Sequence, residues 1–132
     1  MQYLYAKVAE FLTERGWDTL SPADLAKSIC IEASELLEHF QWSNPSADEL
    51  FVDPEKLAGV RDELADVIIY ALEMCVILRL NPDDFVASKL AAAAIKYPAE
   101  AMTRNRGAGP ANAEYHSIKA RHRPSRARKD AK

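Results

Sequence analysis

The sequence predicts an all-α fold: a four-helix, bundle-like core followed by a basic tail. Three observations carry this. Glycine occurs only 4 times in 132 residues, while alanine and leucine abound, a balance that favours helix over strand. Capping side chains stand directly before proline at Ser21-Pro22, Asp53-Pro54 and Asn81-Pro82, the pattern of helix starts. No stretch has the apolar-polar alternation of a strand, and no repeat of helical-array length is visible.

Four helices are expected, over about residues 2–15, 22–41, 54–80 and 83–96. Gly16 ends the first, because a glycine tolerates the left-handed closing conformation. Ser21 opens the second and, with Asp24, resembles a capping box. The polar segment 43–53 reads as a loop before the third, and Tyr97-Pro98 ends the fourth. From about Arg104 the apolar periodicity fades, and RNRGAGPANAEY and ARHRPSRARKDAK read as a flexible, solvated tail. The expected division is a helical domain over 1–98 and a basic tail over 99–132.

The formal net charge of −3 divides unevenly, as −9 over residues 1–98 and +6 over 99–132. The tail has no aromatic interleaving or recognition module, so a nucleic-acid partner is not expected; Arg104 and Arg106 are its candidates for phosphate contact. The most apolar run, Val67–Leu78, is interrupted by Tyr70 and Glu73 and falls short of the roughly 20 residues a membrane span needs. The N-terminus lacks the basic start and long apolar run of a signal peptide. Cys30 and Cys75 sit among apolar neighbours and read as reduced core thiols. A soluble, cytoplasmic protein is expected.

The informative feature is a pair of acidic pairs. Glu32 and Glu35 are three apart on the second helix, and Glu63 and Asp66 three apart on the third. Residues at that spacing share a helix face. Leu25, Ile29, Leu36 and Phe40 form the second helix's core stripe, and Glu32 lies at its edge with Ser28, Glu35 and His39 on the same flank. On the third helix Glu63, Asp66 and Tyr70 share a face, and apolar residues cover most of the rest. So apolar a helix is expected to be buried nearly all round, which also predicts self-association. Its acids then face something enclosed. Sheltered carboxylates must protonate, pair with bases or bind cations. Arg61 and Lys27 point away, so divalent cations are the simplest remedy. An all-carboxylate set of hard oxygens suits Mg²⁺, with Mn²⁺ as a substitute, and leaves positions for phosphate oxygens and water. His39 is four residues after Glu35, which does not fit the Glu-x-x-His spacing of di-iron bundles. No P-loop motif occurs.

The segments Ile31–Trp42, Asp62–Tyr70 and Lys89 with Lys96-Tyr97-Pro98 resemble the MazG-like all-α nucleoside triphosphate pyrophosphohydrolases, dCTP pyrophosphatase branch. The likeness runs from about Phe11 to Pro98. It implies a MazG-type core forming a homodimer or homotetramer, and Mg²⁺-dependent hydrolysis of a dCTP-like (deoxy)nucleoside triphosphate to monophosphate and pyrophosphate. By that resemblance Glu32, Glu35, Glu63 and Asp66 are metal ligands, Trp17 and Trp42 enclose the base, Tyr70 lines the site and Lys89 approaches the phosphates. Lys96, two turns from Lys89, can serve the same triphosphate. Glu35 and Glu63 are the carboxylates assigned to catalysis, with Glu35 orienting or deprotonating the attacking water. Ala93 stands where the family usually has an asparagine, and His39 where the branch often has an apolar residue. Two alternatives stay open: a dUTP or broad-specificity relative, and a non-catalytic nucleotide-binding or helical interaction protein.

Overall fold

The computed structural model describes residues 1–103 and 113–122. The tail segments 104–112 and 123–132, with Arg104 and Arg106, lie outside the described residues. The helices, in order, are α1 (Gln2–Arg15), α2 (Pro22–Glu38), α3 (Ala47–Phe51), α4 (Pro54–Ile77), α5 (Pro82–Lys96), α6 (Ala99–Thr103) and α7 (Ala113–Arg121). Among the described residues there is no strand, and no helix is long and apolar enough to cross a membrane. Backbone packing separates two compact units, Met1–Asp83 and Asp84–Lys132.

Local chemistry sets the ends of the helices. Gly16 closes α1 at φ 65°, its N–H turned back to the Leu12 and Thr13 carbonyls. Ser21 caps α2, but its hydroxyl accepts from the Ala23 N–H at 3.3 Å. Asp24 instead pairs with Lys27 at 2.7 Å, so no capping box forms there. The capping box lies in the segment expected to be a loop: Ser46 and Glu49 exchange side-chain and backbone hydrogen bonds and start α3. Asp53 accepts from the Lys56 N–H at 3.0 Å and opens α4.

In the first unit α4 packs against α2 and α1, and the short α3 against α4. Leu12, Leu25, Leu72 and Cys75 form its buried centre, one or more from each long helix. Where α2 ends, the His39 ring lies so close to α4 that a Cβ on Gly59 would fall 2.6 Å from it. A side chain there would push the His39 ring aside.

Two burial expectations fail. Cys30 is exposed and only Cys75 is buried. The middle of α4 is not enclosed all round, since Leu64, Ile68 and Ile69 keep 46%, 43% and 39% of their surface exposed. The reason is geometric: α1, α2 and the five-residue α3 cannot surround a helix of 24 residues. A shallow apolar groove of about 450 Å³ runs along this face, lined by Leu4, Val8, Phe11, Ala65, Ile68 and Leu72.

In the second unit α6 packs against α7. Tyr97 stacks on Tyr115 with centroids 5.3 Å apart, and Ile118 is buried. The stretch 113–121, read from sequence as part of a solvated tail, is therefore helical with one apolar anchor. The missed signal is Tyr115 and Ile118, three apart on one face.

The end of α4 stores strain. Leu78 closes the helix, Arg79 adopts φ 54°, and the Leu80 N–H reaches the Cys75 carbonyl at 2.8 Å. This left-handed closure normally takes glycine, because a Cβ there costs roughly 1–2 kcal/mol. Arg79→Gly should therefore raise unfolding stability by about 1 kcal/mol once glycine's greater chain entropy is subtracted. Urea unfolding of the full chain checks this; an unchanged or lower midpoint would refute it.

Candidate metal centre

Packing α2 against α4 brings acids from both helices together. One carboxylate oxygen each from Glu32, Glu63 and Asp66 lies within 4.8 Å of the others. Glu32 and Glu63 are half-buried and Asp66 is exposed. The Glu32 carboxyl titrates above its ordinary range, first through desolvation and then through the negative charges of Glu35, Asp66 and Glu63. Among the described residues no base pairs with the three: Lys27 is held by Asp24 at 2.7 Å and Arg61 by Asp62 at 2.9 Å.

Glu35, one turn beyond Glu32, is exposed and lies outside the group of three, though its charge reaches Glu32. The converging set is therefore one acid from α2 and two from α4. It consists only of hard, anionic oxygens, and their separation suits ligands of a single small cation. Both properties fit Mg²⁺ or Mn²⁺ and neither favours a soft metal.

A cleft of about 440 Å³ adjoins the three acids and shares Asp66 with them; Phe11, Trp17, Ser28, Tyr70 and Glu73 also line it. Its size falls within the usual range of small-molecule sites. Trp17 stands edge-on to Phe11 with centroids 5.9 Å apart and remains 48% exposed. Tyr70 is half-buried on the helix face of Asp66.

Three other residues singled out from sequence are not among those that line this cleft. Trp42 is 89% exposed and does not line the cleft. Helix α2 stops at Glu38 rather than 41, so the ring sits in a turn and is not carried on the helix face. Lys89 and Lys96 belong to the second unit, where with Ala93 and Tyr97 they line a groove of about 270 Å³.

Sequence reasoning missed Phe11 and Glu73 as cleft residues. For Glu73 the signal was available. At 100° per residue, Glu63, Asp66, Tyr70 and Glu73 fall within an arc of about 80°, so an acid in an apolar run lines up with the acids before it. Phe11 carries no such mark, since an aromatic on an amphipathic helix reads as core.

The family model described as MazG-like matches residues 27–106, which includes all three converging acids. Over 92 residues the chain is 32% identical to dCTP pyrophosphatase 1 of Mus musculus, covering 68% of this chain and 54% of that protein. The corresponding protein of Homo sapiens is 32% identical over 93 residues, covering 69% and 55%. The chain thus spans about half the length of these curated relatives. Among solved structures, a pyrophosphatase from Archaeoglobus fulgidus superposes with a TM-score of 0.63 at 40% identity, covering 74% of this chain and 92% of that one. With all three converging acids inside the matched stretch, the chain belongs to the MazG-like family.

Proposed function

We propose that this chain is a Mg²⁺-dependent pyrophosphohydrolase that converts a dCTP-like (deoxy)nucleoside triphosphate to its monophosphate and pyrophosphate. Such an activity would serve to cleanse a cytoplasmic nucleotide pool. The observation that carries the reading is the convergence of Glu32, Glu63 and Asp66 beside an aromatic cleft that shares Asp66. The names of the similar proteins, dCTP pyrophosphatase 1 and pyrophosphatase, support it.

In this reading Glu32, Glu63 and Asp66 hold the cation. When bound, the cation supplies countercharge for triphosphate oxygens and lowers the pKa of a water. Glu35, exposed and within electrostatic reach of Glu32, orients the attacking water and accepts its proton. Trp17 offers a ring face to the base, a contact that holds any base without strict choice. The Tyr70 phenol is assigned to a phosphate oxygen or a neighbouring carboxylate. Lys89 and Lys96 keep the role the resemblance implies, countercharge for the phosphates, and Trp42 its place around the base.

We further propose that the chain works as a homodimer or homotetramer. Leu4 and Ile68, 50% and 43% exposed, line one apolar groove, a surface of the kind that marks an association site.

Glu63→Ala should lower pyrophosphate release from dCTP by more than about 100-fold, because even outer partners of a metal site are worth 10–100-fold. Far-UV circular dichroism should stay unchanged; full activity would refute the site. After chelator treatment, added Mg²⁺ should raise the melting temperature of the parent, since a ligand bound only by the folded state stabilises it. Glu63→Ala should show little of that rise. Light scattering after size exclusion should give a dimer or tetramer, and Ile68→Asp should shift it toward monomer. A parent that runs as a monomer would refute association.

A further inference from the structure

The α4 face that carries Glu63, Asp66 and Tyr70 continues to a side chain that the proposed chemistry leaves unused. Glu73 is only 4% exposed. It has no hydrogen-bond or ion-pair partner among the described residues. Its oxygens are nonetheless not sealed off, and it lines the cleft beside Phe11, Trp17 and Tyr70. Holding a carboxylate at so buried a position, its oxygens open only to a cleft and met by no protein donor, is costly. That burial alone pushes its carboxyl above the ordinary range. A leucine would fill the same place without this cost. An unpaired acceptor kept at the wall of a binding cleft implies a ligand that donates to it.

Distance suggests which part of a ligand arrives there. Glu73 lies seven residues beyond Asp66, about 10 Å along the helix at 1.5 Å per residue. That is the span of a nucleoside from its 5′ phosphate to the far edge of its base. With the phosphates at Glu32, Glu63 and Asp66, the base edge comes to Glu73 and the base plane to the ring of Trp17.

We propose that Glu73 is the specificity-determining residue for the base: its carboxylate accepts from an exocyclic amino group, so amino-bearing bases are taken in preference to thymine and uracil. This rests on the nucleotide reading of the site. Where cytosine presents its 4-amino donor, thymine and uracil present a carbonyl oxygen. Two acceptors would then face each other in a desolvated cleft, and neither would be satisfied. Sites built around a hydrogen bond to the substrate reject an analogue that cannot make it far more strongly than apolar pockets reject a size change. Glu73 takes no part in bond breaking, so its loss alters choice more than turnover.

The test uses the full chain with Mg²⁺ and the non-hydrolysable α,β-imido analogues of dCTP and dTTP. Affinity is read by calorimetry, and pyrophosphate release is measured in parallel from dCTP and dTTP themselves. The parent should favour the cytosine compounds by at least about tenfold in affinity and in kcat/KM, the margin of a charge-assisted hydrogen bond. Glu73→Gln can turn its amide N–H₂ toward the thymine carbonyl and should bring the ratio to within about threefold. Glu73→Leu, which removes both donor and acceptor and suits the apolar surroundings, should do the same, with unchanged circular dichroism. A parent that treats the two bases alike, or variants that keep its ratio, overturns the proposal. Pyrophosphate release with an unaltered ratio in both variants sinks Glu73 while sparing the enzyme reading. Selective, Glu73-dependent binding with no release from any triphosphate does the reverse. A chain that binds neither analogue sinks both.

Discussion

Like charges gathered by helix packing are the constraint on which the rest of this molecule depends. Helix α2 packs along α4 with Leu25 buried, and Gly59 leaves room for the His39 ring against α4. This apolar contact fixes the helices without regard to charge, and three acids are carried along with it. They end within 4.8 Å of one another, Glu32 and Glu63 partly withdrawn from water, and no base among the described residues pairs with them. Among the described residues, no side chain relieves the resulting repulsion. A small divalent cation relieves it with the least rearrangement, and this couples the stability of the helix pair to the proposed chemistry.

Helix α4 then serves several purposes around its circumference. One face presents Glu63, Asp66, Tyr70 and Glu73 in sequence, so that a phenol separates the metal-site acids from a further carboxylate in the cleft. Another presents Leu64 and Ile68 to solvent. The first face can be both polar and sheltered because α1 and α2 flank it. The second stays uncovered because the first unit has no further long helix to lay against it. The surface left bare follows from how few elements share the burial, and a second copy of the chain is the proposed cover.

Much of this was legible in the sequence, for identifiable reasons. Capping side chains before proline located the starts of α2 and α4, because caps act within a single turn. The i, i+3 spacing placed Glu63 and Asp66 on one face, and the edge of an apolar stripe pointed Glu32 inward. What sequence could not supply was distance across the helix pair. Spacing treats Glu32 and Glu35 as equals, yet packing draws in the one at the stripe's edge and leaves Glu35 outside the group. Trp42 was given a place around the base by resemblance alone, and since α2 ends at Glu38 its ring stands in a turn outside the cleft lining. The capping box at Ser46 and Glu49 was overlooked because the helix it starts is only five residues long and carries no periodicity. Cys30 shows the same limit: apolar neighbours in the chain did not make apolar neighbours in space.

The two tryptophans differ in a way that makes the molecule its own optical probe. Trp17 sits half-shielded against Phe11 at the cleft, whereas Trp42 is 89% exposed. Their indoles therefore emit from unlike surroundings, Trp42 at the longer wavelengths of a hydrated ring. With Trp42 replaced by phenylalanine, the remaining fluorescence would come from one indole at the cleft mouth. Occupancy of the cleft would then be readable directly, without a labelled nucleotide or a coupled assay.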